Sequence, residues 1–420
     1  MKLVYLGIGS ALIIAIGGHF ALRDEPLNPA VKVWLDNPLP QLDMQQSVLP
    51  DLMAMTAEGV EERDKAVLEL VNDAEKAPML RFHIIDWPRI DELDNYVDKK
   101  WICSLDVERC MEFYQTVHKK FTYQLRQLQY LTFDYLDMAE RTNFYTPIST
   151  FVNIESEPLR VLNRLIGYEI LYDFMEGKVQ DAHYKLAMLV KLDRKIITQS
   201  QFILWRRRSE DNIHEIYLPL IKYLAVHEHQ ELPKVRALFS FLNASELNQN
   251  HHYRRSFEDH VKNLEYYVGE PVNSSPLTNY STHFMYKQNE TLNRIYQVYS
   301  DRMVPAGISK KEYAAFAEET REFWHSNPTE NYWVSLLKNV RNLHGFSTIN
   351  KAELEYTANL GTTMDLDVKY ALLRHRIDKL IAETNDEEFD DTLYAHPYDG
   401  SPIYRAEDVY CLKMQTEACI

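Results

Sequence analysis

Two apolar runs at helical spacing, separated by one glycine, constrain the fold of this chain more than any other feature. The first run consists of Leu159, Leu162, Ile166, Ile170 and Phe174. The second consists of Val179, Ala182, Leu186, Leu189 and Ile196. Spacings of three and four place side chains on one helical face, and Gly177 lies where the first helix must end. The sequence therefore predicts a helical hairpin.

Apolar residues at similar spacing recur along most of the chain. Glycine is scarce, with 12 residues in 420, which is less than half of the roughly 7% typical of proteins. Further helices are predicted over residues 113–138, 202–223, 233–242, 255–268, 292–303, 310–324, 332–343 and 367–382. The sequence shows no fixed repeat period. We therefore predict an all-α fold, built as an irregular array of helical hairpins rather than as a regular solenoid.

Residues 3–22 carry no formal charge if His19 is neutral. A helix of that length roughly matches the 30 Å hydrocarbon layer of a membrane. Lys2 precedes the segment and the charged residues 23–25 follow it, a weak signal that keeps the N-terminus in the cytoplasm. Residues 1–25 are therefore predicted to form a single transmembrane anchor, with the rest of the chain on the other side of the membrane.

A cleaved signal peptide is the alternative interpretation of this segment. Cleavage after Ala21 would place His19 at the −3 position, and cleavage after Gly18 would place Ile16 there. Neither residue is small, so a retained anchor is favoured. Because no cysteine lies near the end of the segment, a lipoprotein modification has no acceptor.

The rest of the chain divides into three predicted parts. Residues 26–50 contain five spaced prolines, which predict an extended or turning stalk, or a strap against the domain. Residues 51–385 form the predicted helical domain, with a possible subdivision near 245–290, where polar residues and prolines gather. Residues 386–420 begin with an acidic loop and end in a small non-helical cap, in which Asp399–Gly400 predicts a turn.

The net charge of −16 argues against binding to nucleic acid, because such binding depends on Lys and Arg neutralising phosphates. The one dense basic run, Arg206–Arg208, is followed at once by Glu210 and Asp211. We interpret this run as a solvent-exposed helix face.

Four cysteines form two local pairs, Cys103 with Cys110 and Cys411 with Cys419. The even number suits an oxidising compartment, so disulfides are favoured over four buried free thiols. In an unbroken helix Cys103 and Cys110 would lie about 10.5 Å apart, beyond the roughly 7 Å limit for a disulfide. A bridge between them therefore requires a turn, which residues 104–106 can form.

The common catalytic and cofactor-binding motifs are missing from the sequence. Ser335 and Lys338 match a Ser-x-x-Lys pattern, but its companion motifs are absent. His227 and His229 point about 200° apart on a helix, so they can share a metal only from a loop or strand. The neighbouring pair His251 and His252 is likewise interpreted as hydrogen-bonding rather than metal-binding. We predict no catalytic, cofactor or metal residues.

The most distinctive polar cluster lies at residues 289–293. Asn289 is predicted to cap the following helix, and Glu290 suits the positive end of that helix. Asn293 lies one turn inside, where a specific hydrogen bond to a partner or to a neighbouring loop would explain it. Nearby tyrosines offer an aromatic surface for a protein partner, or else pack between helices: Tyr266, Tyr267, Tyr286 and Tyr296.

Four stretches are distinctive in combination: Cys103 with Cys110, Gly177–Leu192 with Arg194, Lys287–Asn293, and Pro397–Pro402. Together they resemble a gammaproteobacterial family of membrane-anchored helical proteins of unknown function. The chain departs from the family pattern at residues 331–334 and at His396, where an Asp usually precedes the proline. The resemblance implies the location and the helical architecture, and transfers no activity.

These observations predict a non-enzymatic adaptor or scaffold, held at the inner membrane and binding another envelope protein in the periplasm. One alternative is a periplasmic inhibitor or immunity protein that blocks a secreted toxin. A second is a hydrolase acting on peptidoglycan or lipid, which would require a deep cleft with convergent carboxylates or histidines.

Overall fold

A computed structural model describes part of the chain: residues 24–40, 47–48, 51, 81–82, 119, 129, 131–141, 143–144, 153–154, 157–200, 203–248, 250–269, 286–300, 303, 309, 311–312, 315, 342, 349, 366–398, 400–406, 409–412 and 418–419. Helix accounts for 75% of the described residues. The predicted, predominantly helical fold is therefore confirmed.

The contacts divide the chain into two compact units. Unit 1 comprises Met1–Pro40, Asn250–Met303 and Glu318–Thr357. Unit 2 comprises Gln41–Gln249, Val304–Ala317 and Ala358–Ile420. The N-terminal part of unit 1 is thus joined to helices that follow it by more than two hundred residues.

The helices of the described residues are, in chain order, α1 (Pro29–Asp36), α2 (131–137), α3 (Glu157–Met175), α4 (Val179–Gln199), α5 (Ile203–Asn212), α6 (Leu218–His227), α7 (Leu232–Leu238), α8 (Ala244–Leu247), α9 (Asn250–Gly269), α10 (Gln288–Ser300) and α11 (366–384). The strands are β1 (Arg81–Phe82), β2 (Asn153–Ile154), β3 (Tyr404–Ala406), β4 (Val409–Leu412) and β5 (Ala418–Cys419). β1 pairs with β2 in parallel, and β3, β4 and β5 form an antiparallel sheet in that order.

The predicted hairpin is present as α3 and α4. Gly177 between them has a φ of 72°, the left-handed conformation that glycine adopts without strain. The N–H of Lys178 donates to the carbonyl of Asp173 at 2.8 Å, so the exposed end of α3 is closed in the manner of a Schellman motif. Across the hairpin, Lys185 lies 2.9 Å from Glu169 and 2.8 Å from Asp173.

The third predicted helix runs through α5 and α6 with a π-helical turn, Ile213–Tyr217, between them. Pro219 follows this turn and has no N–H to donate to the carbonyl four residues earlier, so regular α-helical pairing is interrupted here. Gly167 of α3 faces the turn, where an added Cβ would lie 3.0 Å from the side chain of Ile216. A glycine therefore permits the close approach of α3.

Unit 1 shows an element that the sequence analysis did not anticipate. The predicted stalk was expected to be extended or turning, but it contains the helix α1. Its prolines bracket this helix instead of interrupting it, because Pro29 stands at the start, where no N–H is needed, and Pro38 follows the end. The side chain of Asn28 caps α1 by accepting the N–H of Ala30 at 2.9 Å.

After α11, the described C-terminal residues of unit 2 form a short 3-10 helix, Asp391–Leu393, and the strands β3, β4 and β5. The predicted turn is present, since Gly400 has a φ of 73° and its N–H donates to the carbonyl of His396 at 3.0 Å. A disulfide joins Cys411 of β4 to Cys419 of β5. The run 386–391 is largely exposed, although Phe389 packs against the ring of His375 at 5.2 Å.

Several predictions fall outside the described residues. These include the anchor segment, Cys103 with Cys110, most of each helix predicted over 113–138, 310–324 and 332–343, and the pair Ser335 and Lys338. Within the part of the chain that is described, no helix has both the length and the apolar character needed to cross a membrane.

Replacing Gly177 tests the turn of the hairpin. Nothing lies within 4 Å of an added Cβ, so the backbone conformation alone decides the effect of Gly177→Ala. We expect the free energy of unfolding to fall by about 1 kcal/mol, measured by urea denaturation of the full chain in detergent. Gly177→Asn is the matched control, because Asn tolerates positive φ better than Ala does. Equal stability of wild type and Gly177→Ala would contradict the assigned conformation.

Candidate functional site

The residues singled out at 289–293 lie at the start of α10 and bind the N-terminal segment of unit 1. The carboxylate of Asp24 accepts the N–H of Asn289 at 2.7 Å and the N–H of Glu290 at 3.1 Å. A carboxylate at this position satisfies free N–H groups and interacts favourably with the positive end of the helix dipole. The prediction that Asn289 is the N-cap is therefore wrong. Asn289 is the second residue of α10, and Asp24 supplies the capping oxygens.

The side chains of Asn289 and Asn293 bind the main chain that follows Asp24. Nδ2 of Asn289 donates to the carbonyl of Glu25 at 2.8 Å. Nδ2 of Asn293 donates to the carbonyl of Pro26 at 3.0 Å, and its Oδ1 accepts the N–H of Asn28 at 2.8 Å. The specific hydrogen bonds expected for Asn293 are thus made to a neighbouring segment of the chain. Glu290 lies in the first turn as predicted and forms ion pairs with Lys287, which precedes the helix, and with Arg294 on the same helix.

Residues 24–40 together form a segment that we call the strap. Its helix α1 buries Val31 completely. The ring of Trp34 packs edge-to-face on Tyr296 of α10, with centroids 4.7 Å apart, and on Phe257 of α9, at 5.2 Å. The guanidinium of Arg254 lies 5.3 Å from the centre of the Trp34 ring. Tyr296 therefore takes part in packing within unit 1, which was the alternative to partner binding.

The far end of the strap is held by side chains of α9. Oε1 of Glu258 accepts the N–H of Leu39 at 2.7 Å. Arg254 donates to the carbonyl of Asn37, and Arg255 donates to the carbonyl of Pro40. Polar side chains of α9 and α10 thus bind main-chain groups at both ends of the strap, and aromatic rings hold its middle. This pattern is that of a peptide bound in a groove.

The other tyrosines proposed for partner binding are tested less. Tyr286 is half-buried next to the start of α10. Tyr266 and Tyr267 lie on α9. Their role in binding a partner stays a prediction.

The strap contacts predict the effect of removing one aromatic ring. Trp34→Ala should lower the free energy of strap detachment by about 2 kcal/mol. The detached state of the strap should then be populated more than tenfold more often. The measurement is the rate of tryptic cleavage after Lys32, an exposed residue of α1. Val33→Ala is the matched control, because the Val33 side chain on the same helix is 59% exposed. Equal cleavage of both variants would show that Trp34 does not hold the strap.

Unit 2 contains a buried polar cluster that the sequence analysis missed. Asp193 of α4 is fully buried, and Nδ2 of Asn212 lies 2.9 and 3.0 Å from its two carboxylate oxygens. The hydroxyl of Tyr217, at the end of the π-helical turn, also donates to this carboxylate. The available signal was an acidic residue on the apolar face of a predicted helix, four positions after Leu189.

Burial raises the pKa of Asp193 to about 7, although hydrogen bonds from Tyr217, Asn212 and Ser209 act in the opposite direction. Burial, followed by the charge of Asp193, also raises the pKa of Tyr135 and of Tyr217. The cluster therefore holds neutral phenols around a carboxyl group that titrates near neutral pH. Because Asp193 is enclosed, its ionisation bears directly on the stability of the core.

The raised pKa of Asp193 has a consequence for stability. The value in the folded state, about 7, exceeds the ordinary 3.8. The stabilising contribution of Asp193 to the folded state is therefore fully present below about pH 4 and is lost as pH rises through about 7. The free energy of unfolding of Asp193→Asn, relative to that of wild type, should therefore rise by on the order of 2 kcal/mol between pH 5 and pH 8.

The measurement is chemical denaturation at both pH values. Asp181→Asn, which removes an exposed carboxylate from the same helix, is the control. A difference between Asp193→Asn and wild type that does not change with pH would contradict the raised pKa.

The C-terminal part of unit 2 encloses His375 of α11. Its ring packs against Tyr394 at 5.1 Å and Tyr410 at 4.6 Å, and its Nε2 lies 2.6 Å from Oδ1 of Asp391. Burial lowers the pKa of His375, while Asp391 partly opposes this. The side chain is inaccessible to solvent, and its contacts hold the C-terminal residues against α11.

Two further expectations concern charged or ligating residues. The basic run was expected to be solvent-exposed, but Arg206 is fully buried and its Nε donates to the carbonyl of Ser200 at 2.7 Å. Successive helical residues point about 100° apart, so the run cannot occupy one face.

Among the described residues, no group of three or more His, Cys, Asp or Glu side chains is arranged to hold a metal ion.

Comparison with protein-family models, with curated proteins and with solved structures finds no match to this chain. The family resemblance drawn from short motifs therefore stays a hypothesis.

Proposed function

We propose that the chain is an adaptor or scaffold, anchored in the inner membrane by residues 1–25, whose helical part binds another protein in the periplasm. The anchor follows from the uncharged segment 3–22. The strap begins at Asp24, directly after that segment, and it ties the segment to unit 1. A binding function then requires a surface that the fold leaves open.

The observation that carries the binding function is a pair of exposed aromatic side chains in unit 2. Phe133 of α2 is 62% exposed and Tyr184 of α4 is 58% exposed. Thr132, which precedes Phe133, donates to Glu169 at 3.1 Å. Lys185, which follows Tyr184, lies 2.9 Å from the same Glu169. The two aromatic residues therefore flank one ion-paired cluster.

Aromatic residues beside charged groups are what protein-binding surfaces use, because rings bury large areas at low entropic cost. Glu169, Asp173 and Lys185 already neutralise one another in part, so a partner that covers the rings meets a small net charge. We therefore assign Phe133 and Tyr184 to the contact with the partner, in place of Tyr296, which packs on the strap.

The test is a pull-down of the tagged full-length chain from detergent-solubilised membranes, with the anchor-deleted chain as control. We expect an envelope protein at near-stoichiometric yield. We also expect at least tenfold lower recovery with the double variant Phe133→Ser and Tyr184→Ser, because loss of two aromatic contacts costs more than about 2 kcal/mol.

Val226→Ser is the matched control, since Val226 is exposed to a similar degree, 64%, on α6. Failure to recover any reproducible partner, or recovery unaffected by the double variant, would contradict the proposal. The identity of the partner separates the two binding alternatives, because a secreted toxin indicates an inhibitor and an envelope assembly indicates an adaptor.

A further inference from the structure

The strap fixes the chain to unit 1 from its first described residue. Both carboxylate oxygens of Asp24 bind N–H groups in the first turn of α10, and Asn289 binds the carbonyl of Glu25. The main chain is therefore held at α10 from residue 24 onward. No free tether remains between Asp24 and unit 1.

The connection between the proposed membrane span and Asp24 is also short. If residues 3–22 span the membrane, Arg23 alone separates the end of the span from the strap. An extended chain covers at most about 3.6 Å per residue, so Asp24 lies within about 7 Å of Leu22. The polar headgroup layer on each side of a bilayer is about 5–8 Å thick. The first turn of α10 is thereby confined to headgroup depth.

The charges around this turn do not attract lipid by themselves. Asp24 neutralises the positive end of α10. Glu290 forms ion pairs with Lys287 at 3.6 Å and with Arg294 at 3.2 Å. Within the described residues 286–294, Lys287 and Arg294 supply two basic groups, fewer than the four to eight that bind anionic headgroups. The contact is therefore imposed by chain connectivity and not by affinity for lipid.

We propose that the start of α10 in unit 1 is a membrane-apposed surface, held at the phospholipid headgroups by the taut connection between anchor and strap. This inference rests on the proposed membrane anchoring. It adds a defined orientation of unit 1, in which Gln288 and its neighbours face lipid.

The experiment uses the full chain in native membranes, with a genetically encoded diazirine amino acid replacing Gln288, which is exposed. After irradiation, phospholipid adducts are quantified by mass spectrometry. The comparison chain carries the same probe and a ten-residue Gly/Ser insertion between Arg23 and Asp24. This insertion adds a flexible linker of about 18 Å and leaves the anchor and strap sequences unchanged.

We expect about tenfold more lipid adducts from the native connection than from the chain with the insertion. Equal yields, or no adducts from either chain, would overturn the inference if both chains stay in the membrane after an alkaline carbonate wash. Loss of both chains in that wash would instead overturn the membrane anchoring, and with it the proposed function.

Discussion

The position of α4 in unit 2 depends on two adjacent side chains that point to different elements. Asp193 accepts hydrogen bonds from Asn212 and Tyr217, and so holds α4 to the π-helical turn and to α5. Arg194 forms two hydrogen bonds with Glu246, at 2.8 and 2.7 Å, and so holds α4 to α8. Removing one partner from such a buried contact costs several kcal/mol, because the group that remains is left unsatisfied.

Unit 1 solves a different physical problem. Outside α1 the strap has no regular secondary structure, so its main-chain N–H and C=O groups need other partners. Asn293 and Glu258 supply acceptors, while Asn289 and Arg255 supply donors. The strap is therefore recognised mainly through its backbone, with Trp34 as the principal side-chain anchor. This explains why polar residues unfavourable in helices occur on α10, where Asn is a mediocre helix former.

The helical hairpin was predictable because its signals are local. Apolar spacing marks both helices, and a single glycine marks the turn. The polar cluster at residues 289–293 was also found from sequence, since Asn inside a helix calls for a specific partner. The identity of that partner was not predictable, because Asp24 lies more than two hundred and sixty residues away and its role depends on tertiary structure.

Asp193 and Arg206 were missed for a related reason. Each is a charged residue whose burial depends on partners supplied by other parts of the fold, and composition favours an exposed position for both. The strap helix α1 was missed because five prolines suggested an irregular segment. The helix forms because Pro29 stands at its first position and Pro38 lies beyond its end, where neither proline removes a helical hydrogen bond.

The order of the strap contacts along the chain has a mechanical consequence. A pulling force applied ahead of Asp24 reaches the hydrogen bonds at α10 first, then those of Asn293, and only afterwards the packing of Trp34. The contacts are loaded in series, so they break one at a time and each rupture lengthens the connection. The contacts of Asn37, Leu39 and Pro40 with α9 are loaded last. A force on the N-terminal segment would therefore detach the strap in steps and not all at once.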